Sequence, residues 1–160
     1  MTRKEHPITT AVRFLREKEI FFQPHLYQYE ERGGTRAGAA ALQRSEHILV
    51  KTLVMETDEH EPLLVLMHGD REVSTKKLAR LLGVRSVVPC DERTAARHTG
   101  YVFGGTSPFG TRARLPVYVE KSIFDLPRIL INGGKRGLLL EIEPRALREV
   151  LPVTVVEVAV

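Results

Sequence analysis

The 160-residue chain is 42% hydrophobic and 28% charged. That balance excludes an intrinsically disordered chain and lets one domain bury a core without metal or disulfide. The formal net charge of +4 permits a polyanionic partner without demanding one. Cys90 is the only cysteine, so no internal disulfide forms; with no apolar h-region near Met1 and no membrane-length apolar run, the expected setting is the cytoplasm, away from membranes.

Pro7 suits the first turn of a helix whose apolar stripe is Ala11, Val12, Phe14 and Leu15. Residues 20–29 read as a strand, which Pro24 places at an edge or a bulge. Residues 30–38, centred on Gly33-Gly34, are the one flexible-looking stretch, and residues 37–44 form a short alanine-rich helix. Residues 48–56 and 63–68 are strands joined by the polar turn Asp58-Glu59-His60-Glu61, hence a hairpin. Ser74 caps a helix through Lys77, Leu78, Leu81 and Leu82 that Gly83 stops. After a short strand at residues 85–88, Asp91 caps another helix, which Gly100 ends. Residues 116–120, 128–131 and 138–142 read as strands, Pro144 starts a helix through Leu147 and Val150, and residues 153–158 give the last strand. The order is irregular, without repeats, linkers or a strict βαβ rhythm. It implies one α+β domain over residues 1–160, with a central mixed, largely antiparallel sheet and helices around it.

Lys51 stands out within its strand. Ile48, Val50, Thr52 and Val54 share one face; Leu49, Lys51, Leu53 and Met55 share the other. Two largely apolar faces imply a strand inside the sheet. A lysine there either snorkels to water from a strand end or serves as a cation on the wall of a pocket, and the residues alone leave both open.

Two glycine-rich segments follow. Gly104-Gly105-Thr106-Ser107-Pro108-Phe109-Gly110 has the clustered glycines and N–H groups of an anion nest. It lacks the lysine of a P-loop and the Gly-x-Ser-x-Gly of a nucleophile elbow, and taken alone it is an ordinary turn. Asn132-Gly133-Gly134-Lys135-Arg136-Gly137 joins two apolar runs, as a tight hairpin would. Basic residues flank both segments, at Arg112 and Arg114 and at Lys135 and Arg136, a pattern that suits phosphate. The six histidines show no metal-ligand spacing, so no metal is expected. Cys90, between Pro89 and Asp91 after an apolar strand, reads as a small buried thiol, and no Ser/His/Asp set assembles from spacing.

These residues, taken in order, resemble the YbaK family of aminoacyl-tRNA deacylases, which shares its fold with the editing domain of bacterial prolyl-tRNA synthetases. The match runs through Lys76-Lys77-Leu78, Gly100-Tyr101, Gly104-Gly105-Thr106-Ser107-Pro108, Arg114-Leu115-Pro116 and Gly133-Gly134-Lys135-Arg136-Gly137. Weaker matches lie at Phe22-Gln23-Pro24-His25-Leu26-Tyr27 and Lys51-Thr52-Leu53. The resemblance implies a mixed, partly barrel-like sheet and deacylation of mischarged tRNA without metal or cofactor. It makes Lys51 the family's essential lysine, Gly104, Gly105, Thr106, Ser107 and Pro108 its loop at the amino-acid pocket, and Tyr27 a pocket-lining tyrosine. Asn132, Gly133 and Gly134 join that substrate site, while Arg112, Arg114, Lys135 and Arg136 would contact the tRNA backbone.

The best-known branch of the family clears cysteine from proline and cysteine tRNA. There the bound cysteine's own thiol attacks its ester and leaves as a thiolactone. This chain departs from that branch: Asn132 stands where a serine is expected and Leu139 where an aspartate is expected. The leading expectation from the resemblance is a trans-acting deacylase for Cys-tRNA, with the acceptor end of tRNA and prolyl-tRNA synthetase as the expected partners. Its rivals are editing of another small residue, such as alanine, by water or the ribose hydroxyl; a non-catalytic module binding tRNA or a synthetase; and a small-molecule phosphate binder. Within the pocket, N–H groups from Gly105 to Ser107 are expected to hold the aminoacyl carbonyl or its oxyanion.

Overall fold

Residues 5–160 are described by a computed structural model. Helix α1 (Thr10–Glu17) begins later than Pro7 implies, because Thr9 is its cap and accepts the Val12 N–H at 3.0 Å. Its buried stripe is Ala11, Val12 and Leu15. Strand β1 (Gln23–Leu26) is shorter than its apolar run; beyond it the Tyr27 N–H bonds the Gly137 carbonyl in the turn that precedes its partner strand. Helix α2 (Gly34–Leu42) reaches back into the stretch that reads as flexible, and a 3-10 turn at Glu46–Ile48 leads into β2 (Leu49–Thr57). Strand β3 (Pro62–His68) completes the hairpin with β2, from Val50 opposite His68 to Glu56 opposite Pro62.

Caps set the next two helices. In α3 (Thr75–Leu82) the Ser74 hydroxyl accepts the Lys77 N–H, and Gly83 ends the helix at φ 69°. In α4 (Glu92–Thr99) Asp91 accepts the Thr94 N–H at 2.7 Å, and Gly100 ends the helix. Each such cap contributes about 1 kcal/mol. Strand β4 (Val87–Pro89) lies between these helices, and β5 (Val117–Glu120) follows α4. A second 3-10 turn, Lys121–Asp125, has no clear signal in the sequence. The chain continues through β6 (Ile129–Asn132), β7 (Leu138–Ile142), α5 (Arg145–Val150) and β8 (Val153–Val156).

The sheet runs β1-β7-β6-β2-β3-β5-β8, with β4 also paired to β2. Four of the seven pairings are antiparallel; β2 with β6, β3 with β5 and β5 with β8 are parallel. The fold is a single α+β domain with a mixed, mostly antiparallel sheet, barrel-like but not closed. Pro24 lies on β1 at one end of this order, where its missing N–H costs no ladder bond.

Strand β2 is interior. Val50 and Val54 join the largest core cluster, with Leu64, Leu66 and Phe109. On the opposite face Leu49 packs under α2 with Ala39, Leu130 and Leu139, while Met55 packs with Met67 and Leu78 near α3. Lys51, on that same face by alternation, falls between these two smaller clusters.

Candidate functional site

The sheet divides at β2. On one edge β3 accompanies it throughout; on the other, β6 pairs with Leu49 and Val50, and β4 pairs with Met55, Glu56 and Thr57. Lys51, Thr52 and Leu53 therefore have a strand on one side only, and a cavity of about 920 Å³ opens beside them. This fork explains how a strand with two apolar faces carries a lysine. The Lys51 side chain is 19% exposed, and its Nζ lies 3.3 Å from Glu72 Oε1, on a side chain that is 79% exposed. A pair with one partner so open to water contributes only about 0–1 kcal/mol, so Glu72 is a displaceable counter-ion. Beside it, the Thr52 hydroxyl oxygen is buried and has no hydrogen-bond partner among the described residues. An unmet polar atom of this kind costs about 1–3 kcal/mol until a ligand or water meets it.

The two glycine-rich segments form one wall of the cavity, and they meet each other. Asn132 Nδ2 donates to the Gly104 carbonyl at 2.9 Å, and Asn132 Oδ1 accepts the Gly134 N–H at 2.7 Å. Arg136 Nε donates to the Phe103 carbonyl at 2.8 Å, and its guanidinium lies over the Tyr29 ring, 5.1 Å from the centroid. A Cβ on Gly105 would stand 3.0 Å from the Arg136 nitrogen and 3.1 Å from the Lys135 carbonyl carbon. Gly105 is thus small because the backbone of the other segment passes against it. Gly104, at φ 85°, admits Tyr29, whose hydroxyl would lie 2.6 Å from an added Cβ.

The residues expected at the substrate divide accordingly. Tyr27, Lys51, Gly104, Thr106 and Asn132 line the cavity; Gly105, Ser107, Pro108, Gly133 and Gly134 do not. The Gly105 N–H closes a turn onto the Val102 carbonyl at 2.9 Å, which corrects its expected place in an oxyanion contact. The Ser107 hydroxyl is fully buried and accepts the Phe109 N–H. The Gly104, Thr106 and Ser107 N–H groups make no hydrogen bond among the described residues, and of these three residues Gly104 and Thr106 line the cavity. Asn132 uses one N–H and one lone pair of its side chain to hold the two loops together, and Leu139 packs with Leu49 and Leu130. Of the four basic residues, Arg136 borders the cavity, Lys135 is exposed at the turn, and Arg112 and Arg114 lie exposed beyond Gly100. Tyr29, Phe103 and Glu72 are lining residues that pattern reading missed; an aromatic or acid in an irregular segment carries no periodicity to mark it.

Burial raises the Tyr27 hydroxyl's pKa, and Tyr29 beside it raises it further, so Tyr27 stays a proton donor at neutral pH. Cys90 is buried at the cavity's edge, and burial together with Glu56 pushes its thiol up to about 11. It is therefore a protonated thiol at neutral pH and a poor nucleophile.

His47, His68 and Asp70 bring ligand atoms within 4.8 Å of one another. Their chemistry does not suit a metal. The two imidazoles stack face to face, with centroids 3.8 Å apart and 7° between planes, whereas a shared ion must lie in the plane of each ring. Both His68 nitrogens are occupied, Nδ1 by the His47 carbonyl at 2.8 Å and Nε2 by the Ser122 hydroxyl at 2.6 Å. Burial lowers the pKa of His68 and keeps it neutral. Neither His68 nor Ser122 lines the cavity.

A family model described as the aminoacyl-tRNA editing domain matches residues 30–150, and the chain belongs to that family, on its YbaK/EbsC-like side. EbsC of Enterococcus faecalis, named as a candidate Cys-tRNA(Pro)/Cys-tRNA(Cys) deacylase, is 26% identical over 146 residues, covering 91% of this chain and 89% of EbsC. A proline–tRNA ligase of Brachyspira hyodysenteriae is 30% identical over 86 residues, a stretch that is 54% of this chain but 15% of the ligase. A crystal structure described as a candidate trans-editing enzyme for prolyl tRNA synthetase shares the fold, with a TM-score of 0.81 at 20% identity over 96% of this chain and 98% of that one. Among the described residues no helix is long and apolar enough to cross a membrane.

Proposed function

We propose that the chain is a trans-acting deacylase that frees mischarged tRNA, with Cys-tRNA(Pro) or Cys-tRNA(Cys) as substrate. The observation that carries this reading is the Lys51 ammonium at the fork of the sheet, on the wall of a cavity that the two stapled loops complete. The cavity is lined by Lys51, which can neutralise charge, and by Thr106 and Tyr27, whose N–H and hydroxyl can orient a bound group. Its one thiol is held protonated, and the one contact between Ser and His side chains among the described residues lies outside it.

Such a site suits chemistry in which the substrate supplies its own nucleophile. The cysteine sulfur bonds to the ester carbonyl carbon, the bond to the ribose oxygen breaks, and the thiol's proton passes to that oxygen. The products are a cyclic thiolactone and free tRNA. Lys51 would displace from Glu72 to meet the charge developing on the carbonyl or the departing oxygen, and the Thr106 N–H would hold the carbonyl. Acceptor-end phosphates would meet Arg136 first, then Lys135, Arg112 and Arg114.

A second reading has its own support. Asn132, which lines the pocket, gives one N–H and one lone pair to the staple, and Leu139 beside it is apolar, so the serine and aspartate expected in the cysteine-specific branch are not the residues of this pocket. Editing of alanine by water or the ribose hydroxyl fits that loss. Incubating the purified protein with Cys-, Ala-, Ser- and Pro-tRNA(Pro) and following loss of the amino acid tests both. Rapid clearance of Cys-tRNA supports the first reading, clearance of Ala-tRNA the second, and no clearance of any refutes both.

A further inference from the structure

Phe103, which lines the cavity, is 40% exposed, and the residue before it, Val102, is 58% exposed. They are not on a loose loop. The Val102 carbonyl closes the turn with the Gly105 N–H, and the Phe103 carbonyl is held by Arg136. Exposed cations stand on both flanks. Arg112 lies over Gly100 on one side, its atoms 3.8–3.9 Å from where a Cβ there would be; on the other side the backbone of Lys135 and Arg136 passes against Gly105, with both side chains exposed. A rigidly displayed aromatic between cations is the pattern by which proteins hold single-stranded nucleic acid, with a base stacking on the ring and phosphates meeting the cationic side chains. A protein partner's apolar surface would not explain why a guanidinium, that of Arg136, is fixed to the backbone of the aromatic residue itself.

We propose that Phe103, with Val102 beside it, is the stacking platform for the terminal base of the tRNA's single-stranded 3′ end, and that Arg112, Lys135 and Arg136 hold the adjoining phosphates. The proposal rests on reading the cavity as the editing site: a base stacked at its mouth would lead the esterified ribose of the same nucleotide inward toward Lys51.

The test is equilibrium binding of labelled, uncharged tRNA(Pro) transcripts, one complete and one lacking the terminal adenosine. The proteins are the wild type and the Phe103→Ala, Phe103→Leu and Phe103→Trp variants, each checked for an unchanged melting profile. Loss of one base–aromatic stack should weaken binding of the complete transcript by Phe103→Ala roughly 5- to 150-fold, with Phe103→Leu alongside it and Phe103→Trp within about twofold of wild type. On the shortened transcript all four proteins should bind alike. The platform is overturned if Phe103→Ala binds the complete transcript as wild type does, if Phe103→Leu keeps full affinity, or if the difference persists without the terminal adenosine. It is also overturned if Phe103→Ala loses affinity for purified prolyl-tRNA synthetase while RNA binding stands. Uncharged RNA separates this test from the deacylase reading. Binding that behaves as described in a protein that leaves every charged tRNA intact supports the platform and refutes the enzyme.

Discussion

Replacing Lys51 with methionine keeps most of the aliphatic stem and removes the ammonium. The structure sets what this should cost. The only ion pair removed is the one with Glu72 at 3.3 Å, whose side chain is 79% exposed. In water-like surroundings the direct attraction is about 1 kcal/mol, and side-chain ordering and salt reduce it to about 0–1 kcal/mol. Relief from holding a charged side chain that is only 19% exposed acts in the other direction. The melting temperature should therefore move by no more than about 2–4 °C in a domain of this size. If the ammonium meets charge that develops as the ester breaks, its loss should slow the chemical step by about 10²–10³, some 3–4 kcal/mol. Single-turnover deacylation of Cys-tRNA(Pro), read beside thermal unfolding, separates the two effects. Glu72→Gln is the control: it frees Lys51 of its counter-ion and should leave the rate unchanged or raise it. Near-wild-type turnover by Lys51→Met, or a rate loss matched by an equal loss of stability, would refute the catalytic assignment and leave Lys51 a structural residue.

Four further outcomes are expected. Gly105→Ala puts a Cβ 3.0–3.2 Å from the backbone of Lys135 and Arg136, so denaturant unfolding should show a loss of about 1–3 kcal/mol together with slower deacylation; no change in either would mean that the close approach of the two loops is unimportant. Removing Arg112, Lys135 or Arg136 should flatten the log–log salt dependence of tRNA binding by roughly 0.7–0.9 for each phosphate no longer held, and an unaltered slope would place the RNA elsewhere. Cys-tRNA should be cleaved much faster than Ser-tRNA, with thiolactone among the products, and Cys90→Ser should leave that rate intact because a thiol pushed up to about 11 is not the nucleophile; equal rates on the two substrates would favour attack by water or ribose. Burial works to raise the pKa of Glu141, but His25 at 2.8 Å, Arg44 and Arg128 outweigh it and hold the carboxyl below its ordinary 4.5. The stability it contributes should therefore be present above that value and lost as pH falls through the folded-state pKa, so Glu141→Gln should unfold more readily at pH 7 and show a flatter acid limb; an unchanged acid limb would show that the cluster is electrostatically idle.

How much of this was legible in the chain depended on the range of the interaction. The α3 and α4 boundaries were readable because Ser74, Gly83, Asp91 and Gly100 act on backbone groups within a few residues. The β2–β3 hairpin was readable for the same reason. The start of α2 at Gly34 was hidden, since two glycines read as flexibility when their local cost is set against no visible contact. The parallel pairings of β3 with β5 and β5 with β8 were likewise out of reach, because they join segments whose partners only the whole topology brings together. At the site, Lys51 could be singled out by its misfit on an apolar face, but Glu72, its counter-ion, lies on the loop after β3 and carried no signal. Asn132 shows the same limit. Its position suggested a substrate contact; that its side chain also bonds Gly104 and Gly134 is visible only when the loops are seen to touch.

The fork in the sheet ties these observations together. A closed sheet would have paired Lys51, Thr52 and Leu53 on both edges and buried the lysine against Tyr27 and the loops. By sending β6 to one end of β2 and β4 to the other, the fold leaves three residues of its central strand facing open volume on a rigid frame. Leu49, Val50 and Met55, at the two ends of that gap, are firmly in the core, so the cation between them cannot drift far. The opposite wall is equally restrained, because Asn132 and Arg136 bind the two glycine segments to each other rather than leaving them to fold over a ligand. A site with both walls fixed and its one ammonium loosely countered is built to orient a bond and meet new charge on it. That is what ester cleavage asks of a protein when the attacking atom arrives with the substrate.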